Sequence, residues 1–234
     1  MISKPGVDSG IVALVPMRHH SERVTGKNYR LVAGKPLYGY IIETLLECPE
    51  INQIIVNTDS PVIEAGISDQ YPSVTLIQRP THLCGAMIPM NEILLYDVEQ
   101  IPAAFYLQTH STNPLLRAET ISRAIQKFLA EREQPSLFSV TRVQTRLWTE
   151  DGKPVNHNPT ELLRTQDLPS VYEENSCIYL FNRQTLLEYK NRLGEKPHLF
   201  EIDASEAWDI DDELDMAIVE SLLVRRASME KRET

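Results

Sequence analysis

An apolar run that breaks abruptly into a polar, basic loop lies near the amino terminus, at residues 11–28. Residues 11–15 are apolar without alternation, which is typical of a strand buried on both faces of a parallel sheet. Pro16 is expected to end this strand, and after Pro36 apolar residues recur at helical spacing. A strand, a polar loop and a helix in this order predict an α/β fold that binds its ligand at the carboxyl end of the sheet.

The loop after this first strand combines positive charge with small hydrogen-bonding residues. Cationic side chains at the end of a strand predict an anionic ligand, and we favour a phosphate chain. The alternative is a solvated basic loop, because neither the G-x-x-x-x-G-K-[ST] nor the G-x-G-x-x-G pattern is present. The cations are Arg18, Arg23 and Lys27, and the small residues are Ser21, Thr25, Gly26 and Asn28.

Further along the chain, strand patterns alternate with helix patterns. Strands are predicted near residues 53–58, 74–78, 104–108, 137–143 and 176–181, with helices between most of them, the last one reaching about residue 193. This alternation predicts a doubly wound, mainly parallel sheet in one domain of residues 1–234. Residues 142–175 interrupt it with an Asp151-Gly152 hairpin signal and several prolines. We interpret them as an excursion, either a flap or an arm for oligomerisation.

Composition narrows the classes of partner and the compartment. The 234 residues carry a net charge of -10, which disfavours a nucleic-acid or anionic-membrane surface. The first ten residues lack the apolar core of a signal peptide, and no apolar run approaches the ~18 residues of a membrane span. Cys48, Cys84 and Cys177 form no C-x-x-C pair, which favours reduced thiols in a cytoplasmic protein.

A pair of acidic residues near the carboxyl terminus is the second informative feature. Asp209 and Asp211 flank Ile210, and in an extended segment their side chains point to the same face. Two carboxylates that share a face with room for phosphate oxygens suit Mg²⁺. Acidic residues are also common at helix starts, and this alternative explains Asp212 and Glu213 better than the earlier pair. The helix that Asp212 caps is expected to bury Leu214, Ala217, Ile218, Ser221 and Leu222.

Taken together, these motifs resemble the acylneuraminate cytidylyltransferase family, which includes the CMP-sialic acid and CMP-Kdo synthetases. The resemblance spans nearly the whole chain, and it depends on the order and spacing of short motifs rather than on one long one. The matching residues are Arg18, Ser21, Lys27, Asn28, Thr58, Asp59, Arg79, Pro80, Leu83, Leu107, Gln108, Pro114, Arg117, Gln166, Pro169, Ile178, Tyr179 and the sequence D-I-D at 209–211.

The resemblance implies an enzyme that transfers CMP from CTP to an acidic 2-keto sugar, sialic acid-like or Kdo-like, with release of pyrophosphate. It implies Mg²⁺ as cofactor, a homodimer, and a doubly wound α/β fold with a dimerisation arm. By position, Arg18, Ser21 and Lys27 would hold the triphosphate, with Arg23 as a further cation and Asn28 supporting the loop. Arg79 and Gln108 would lie near the nucleotide, Gln166 and Tyr179 would face the sugar, and Asp209 and Asp211 would hold the metal.

This chain departs from the family pattern where sugar and nucleotide would meet. Sialic acid enzymes usually carry lysine directly after the serine, where this chain has Glu22, and an acidic residue at the position of Ala86. The segment after Gln108 is also two residues longer than usual. Two other functions remain open: a nucleotidyltransferase acting on a sugar phosphate, and a noncatalytic nucleotide-binding relative. His19 and His20 lack the spacing of a zinc site, so we do not predict them as metal ligands.

Overall fold

A computed structural model describes residues 10–131 and 135–233, so the amino-terminal prediction on signal peptides lies mostly outside the described residues. Strands and helices alternate along most of the chain. In chain order the elements are β1 (Ile11–Met17), β2 (Leu31–Val32), β3 (Lys35–Pro36), α1 (Leu37–Leu46), β4 (Ile51–Thr58), α2 (Pro61–Gln70), β5 (Thr75–Gln78), α3 (Met90–Gln100), β6 (Phe105–Gln108), α4 (Ala118–Ala130), β7 (Ser136–Val143), β8 (Val171–Asn182), α5 (Arg183–Tyr189), β9 (His198–Glu201) and α6 (Glu213–Glu233).

The main sheet has seven strands in the order β5-β4-β1-β6-β8-β7-β9. All neighbours pair in parallel except β8, which is antiparallel to both β6 and β7. The chain moves outward from β1 through β4 to β5, and then returns to the other side of β1 with β6. The predicted doubly wound, mainly parallel sheet is therefore confirmed, and its order reverses between β1 and β6, where open α/β sheets bind ligands.

Strand β1 shows why the fold is doubly wound. Its seven residues are all buried, and alternate side chains enter two different cores. Ala13 and Val15 pack in the cluster that contains residues of α1, α2 and α4, whereas Val12 and Leu14 pack with residues of α3 and α5. A strand covered by helices on both faces needs apolar residues at successive positions, which is the pattern that the sequence carries.

Pro16 does not end the first strand, contrary to the prediction. The strand continues to Met17, and Pro16 is paired in register with Asn57 of β4. On the other side, pairing with β6 stops at Leu14. Because β6 no longer pairs with β1 at Pro16, a residue without an amide hydrogen is tolerated at this position.

The excursion is shorter than predicted, because its two ends are strand. Residues 140–143 of β7 pair with residues 171–174 of β8, so the irregular segment runs from 144 to 170. The predicted hairpin is present: Gly152 has a φ of 78°, and the Thr149 amide donates to the Lys153 carbonyl over 2.8 Å. Whether this segment mediates oligomerisation stays a prediction.

Two helix predictions near the carboxyl terminus are wrong in detail. Helix α5 ends at Tyr189 rather than near residue 193, because Lys190 adopts the left-handed conformation with φ of 55°. In α6, Asp212 caps the helix as predicted, accepting from the amides of Leu214 and Asp215. However, α6 buries Met216, Val219 and Leu223, while Leu214 is 67% exposed. Both sets of residues have helical spacing, so the sequence pattern could not select the packed face.

Strand β9 was not predicted from the sequence.

Within the described residues, no helix combines the length and apolar character needed to cross a bilayer. Cys48 and Cys177 are buried, Cys84 is partly exposed, and each is a free thiol.

Candidate active site

The basic loop after β1 lies at the carboxyl end of the sheet and is held in a fixed conformation. The Asn28 side chain donates to the Arg18 carbonyl over 2.7 Å and accepts from the Ser111 hydroxyl over 2.8 Å. Gly26 has a φ of 65°, and a Cβ there would lie 2.7 Å from the Tyr29 ring. Asn28 therefore holds the loop, its predicted contact with the nucleotide stays a prediction, and Gly26 allows the turn that precedes Lys27.

A second set of contacts joins this loop to the end of β4. The His19 amide donates to an Asp59 carboxylate oxygen over 2.6 Å, and His19 Nδ1 lies 2.7 Å from the Ser60 hydroxyl. The imidazole also stacks on the Tyr29 ring, with centroids 5.2 Å apart. His19 is thus a structural link between two strand ends.

The first loop and the acidic segment converge, although they are far apart in sequence. Arg23 Nη2 lies 2.6 Å from Asp211 Oδ1, across 188 residues of chain. Lys27 Nζ donates to the Ile210 carbonyl over 2.7 Å, directly between the two aspartates. Ile210 itself is fully buried, so Asp209 and Asp211 lie on the opposite face of the segment from it. Four predicted site residues therefore occupy one location.

The charges in this cluster influence one another. Burial raises the pKa of Asp209 and the neighbouring Asp211 raises it further, while a hydrogen bond with Thr112 and the charges of Lys27 and Arg23 oppose the rise. Burial lowers the pKa of Lys27, and Asp209 and Asp211 oppose that change. A partly buried cation beside two carboxylates is an arrangement suited to binding charged ligands.

The acidic pair fits a Mg²⁺ ion. Asp209 Oδ1 is buried and has no hydrogen-bond partner among the described residues, so it keeps a vacant acceptor. The described residues contain no group of three or more histidine, cysteine or acidic side chains that could enclose a metal. Two carboxylates alone suit Mg²⁺, because this ion usually keeps several waters and completes its coordination with substrate phosphate oxygens.

Two further residues of the loop, Arg18 and Ser21, are predicted to contact phosphate. The Arg18 side chain is exposed, and its guanidinium makes no hydrogen bond to the described part of the chain. Its charge nevertheless contributes to the lowered pKa values of Lys27 and Arg79, so it lies near both. The Ser21 hydroxyl accepts from the Val24 amide over 3.4 Å. The predicted phosphate contacts of Arg18 and Ser21 stay predictions.

Arg79 is held by protein groups beneath the site. It is 7% exposed, its Nε donates to Asn57 Oδ1 over 2.8 Å, and its Nη2 donates to the carbonyls of Asn57 and Met17. The Asn57 amide in turn donates to Asp97 over 2.5 Å. Arg79 therefore links the ends of β1, β4 and β5, and its predicted contact with the nucleotide stays a prediction.

Asp97 at the base of this network predicts a pH-dependent stability. Burial raises its pKa to about 7, opposed by Asn57 and Arg79. The folded protein then holds a proton that the unfolded chain releases near pH 4, so stability is lost as the pH rises from about 4 to 7. We expect Asp97→Asn to gain stability relative to the wild type across this range, by up to about 4 kcal/mol. Urea unfolding from pH 4 to 8 tests this, and parallel curves for the two proteins would contradict it.

A second cluster surrounds the end of β6, where the sequence identified Gln108 and Tyr179 but missed Arg192. Gln108 is fully buried; its Oε1 accepts from Arg192 Nη1, and its Nε2 donates to the Thr109 carbonyl and to His110 Nε2, both over 3.0 Å. The Arg192 guanidinium lies 3.4 Å from the Tyr179 ring centroid. Burial lowers the pKa of His110 to about 3, so its imidazole is neutral.

The two predicted sugar-binding residues differ in position. Tyr179 is 1% exposed, and its hydroxyl lies 2.5 Å from Glu174 Oε1. In the sheet, Tyr179 of β8 pairs with the predicted nucleotide-binding residue Gln108 of β6. Gln166 lies in an exposed 3-10 turn (Thr165–Asp167) of the excursion. No hydrogen bond among the described residues joins Gln166 to Tyr179 or to the acidic pair. The structure thus brings Tyr179 into the second cluster and does not bring Gln166 there.

Comparisons with known proteins show which family and which sequences this chain resembles. The sequence profile of the family described as Cytidylyltransferase matches residues 12–224. The chain is 28% identical over 225 residues to post-translational flagellin modification protein B of Campylobacter coli, covering 92% of this chain and 95% of that protein. It is 29% identical over 228 residues to CMP-N,N'-diacetyllegionaminic acid synthase of Legionella pneumophila, covering 91% and 96%.

Solved structures support the fold. A CMP-2-keto-3-deoxy-manno-octonic acid synthetase in complex with CTP superposes with a TM-score of 0.71 at 17% identity, covering 93% of this chain and 100% of the other. A 4-diphosphocytidyl-2C-methyl-D-erythritol synthase from Anaerococcus prevotii gives a TM-score of 0.65 at 14% identity, covering 92% and 96%. At these identities the likeness concerns the fold.

Proposed function

The chain belongs to the cytidylyltransferase family, and from this premise we propose that it transfers CMP from CTP to a 2-keto sugar acid and releases pyrophosphate. Relatives that match over nine-tenths of the chain include CMP-N,N'-diacetyllegionaminic acid synthases of two bacteria and an N-acylneuraminate cytidylyltransferase of Danio rerio. Their names share one class of acceptor, a sialic acid-like 2-keto sugar acid.

The observation that carries this proposal is the convergence of Arg23 and Lys27 with Asp209 and Asp211 at the reversal point of the sheet. Displacement at the α-phosphorus of CTP builds negative charge on the nonbridging oxygens and on the leaving pyrophosphate. Cations on one side and a metal-binding carboxylate pair on the other would stabilise that charge. A protein that only sensed nucleotides would have little need for the acidic pair.

In the proposed reaction the acceptor hydroxyl oxygen forms a bond to the α-phosphorus, and the bond between the α-phosphorus and the oxygen that bridges it to the β-phosphate breaks. That oxygen leaves with the pyrophosphate, and the hydroxyl proton passes to water. Lys27, with Arg18 and Ser21, would hold the triphosphate, and Asn28 keeps their loop in place. Asp209 and Asp211 would hold Mg²⁺, which when bound neutralises phosphate charge and acts as a Lewis acid. Positioning of the two substrates supplies much of the remaining rate enhancement.

Pyrophosphate release with CTP and a panel of acceptors tests the proposal. We expect release with one or more of an N-acylneuraminic acid, N,N'-diacetyllegionaminic acid and 3-deoxy-manno-octulosonic acid, and CTP to be preferred over ATP, GTP and UTP. Sugar 1-phosphates serve as the control acceptors, because a sugar-phosphate nucleotidyltransferase would use them instead. The proposal would be contradicted if pyrophosphate were released only with sugar phosphates, or if none of the acceptors supported release.

Two further predictions on this enzyme remain. The excursion carries exposed apolar side chains, which supports its predicted role as the arm of a homodimer. These side chains are Trp148, Val155, Leu162 and Leu163, which are 53%, 55%, 89% and 38% exposed. A cytoplasmic location likewise stays a prediction, in keeping with the three free thiols.

A further inference from the structure

Arg192 is a partly buried cation that the sequence patterns did not identify. It forms no ion pair with a carboxylate of the described residues, although Glu174 acts on it electrostatically from beyond the Tyr179 hydroxyl. Burying a guanidinium without a direct counter-ion is unfavourable, as the lowered pKa of Arg192 indicates. A cation held in this way is suited to a ligand that brings the missing negative charge.

The chain around Arg192 is built to hold it. Asn191 Oδ1 accepts from the amides of Leu193 and Gly194 over 2.9 and 2.7 Å, and the Ser136 hydroxyl bonds to the Leu193 carbonyl. Gly194 has a φ of 66°, which a larger residue would strain. The loop between α5 and β9 is therefore fixed on both sides of Arg192, and the guanidinium is preorganised.

Among the described residues the guanidinium has hydrogen-bonding partners in Gln108 and Tyr179, which leaves several of its five donors available. One Nη1 hydrogen goes to Gln108, and the plane of the group lies over the Tyr179 ring. Arginine has five donors in a planar fork, a geometry that matches a carboxylate in bidentate fashion. The neighbouring His110 is neutral and Gln108 is uncharged, and the Glu174 carboxylate acts on Arg192 without forming an ion pair with it among the described residues.

Arg192 also lies beside the transfer site. Its partner Gln108 ends β6, next to β1 at the reversal point of the sheet, and both Arg192 and Lys27 contribute to the lowered pKa of His110. An acceptor placed against Arg192 would thus lie next to the phosphate-binding cations. Resting on the proposed function, we propose that Arg192 is a specificity-determining residue that binds the carboxylate of the acceptor sugar acid.

The test compares the sugar acid of the panel that the wild type uses fastest with the methyl ester of that acid. The wild type should prefer the acid by about 100-fold in kcat/KM, because the ester has no charge to pair with Arg192. In Arg192→Gln the preference should fall to about 3-fold or less, through a higher KM for the acid, while the KM for CTP stays within about 2-fold. Arg192→Lys, which keeps the charge but not the fork, should keep part of the preference.

Arg183→Gln provides a matched control, because Arg183 lies in the same α5-β9 region and its side chain interacts with the Val98 carbonyl and with Tyr106 rather than with Gln108 or Tyr179. It should keep the full preference for the acid. An undiminished preference in Arg192→Gln would overturn the proposal, and so would an equal rise of the KM for CTP, which would assign Arg192 a general structural role. Failure of the wild type to use any acid of the panel would instead overturn the proposed function, so the two failures are distinguishable.

Discussion

Replacement of Asp209 by asparagine is expected to lower turnover by at least about 100-fold, the size of effect seen when charge stabilisation is removed from a transition state. Within the acidic pair, Asp209 carries a buried carboxylate oxygen that has no partner in the part of the chain that the structure describes, so it is the stronger candidate for a metal ligand. An amide keeps the shape of the side chain and an oxygen for the Thr112 hydrogen bond. It removes the negative charge on which Mg²⁺ binding depends.

This variant should fold normally. The raised pKa of Asp209 shows that its charge is unfavourable where it lies, owing to burial and to repulsion from Asp211. Asparagine removes both costs, so the melting temperature should equal or exceed that of the wild type. Asp212→Asn is the matched control: it makes the same change three residues away, at a helix cap where asparagine serves as well as aspartate, and should keep activity.

A titration with Mg²⁺ separates two explanations of a loss. If Asp209 holds the ion, the Asp209→Asn variant should need a higher Mg²⁺ concentration, and part of its activity should return as Mg²⁺ is raised. A loss of the same size at every concentration would instead mean that Asp209 acts through Lys27, whose pKa it influences. Turnover at the wild-type rate would remove Asp209 from the site altogether.

The acidic pair was predictable because it depends on local geometry. The side chains of Asp209 and Asp211 share a face in any extended segment, and Ile210 between them is apolar and buried. The two cores of the sheet were likewise encoded in the unbroken apolar run of β1. The convergence of Arg23 with Asp211 could not be predicted from local patterns, because it depends on the order of the strands. The resemblance to a family supplied that order.

Other features depend on tertiary packing and left no local signal. Arg192 follows a short helix that ends earlier than its pattern indicated, and only the pairing of β6 with β8 brings Gln108 and Tyr179 beneath it. The buried face of α6 was misjudged because two sets of residues have equal helical spacing, and packing around Ile210 selects Met216, Val219 and Leu223. The contact of Arg79 with the nucleotide stays a prediction, and its hydrogen bond to the buried Asn57, which in turn donates to Asp97, could not be predicted from sequence.

Replacement of Lys27 by methionine is the second large expected effect, a fall of about 100-fold in kcat/KM for CTP. Methionine keeps most of the stem volume of lysine but removes the ammonium group that donates to the Ile210 carbonyl between the two aspartates. The triphosphate would then meet Asp209 and Asp211 with one compensating cation fewer. Lys127→Met is the control: it removes a lysine of α4 that pairs on the surface with Glu131 just after the helix, and it should leave kcat/KM unchanged.

The pH dependence of Lys27 variants tests whether its charge is what matters. Burial lowers the pKa of Lys27 below 10.5, so the wild type should lose activity at alkaline pH as this ammonium group is deprotonated. Arginine at this position stays charged throughout that range. Lys27→Arg should therefore have lower activity at pH 8, owing to its different shape, but retain more of that activity at high pH than the wild type does. An identical alkaline decline in the two proteins would show that another group titrates, and that Lys27 contributes through its hydrogen bond to Ile210 rather than through its charge on the phosphates.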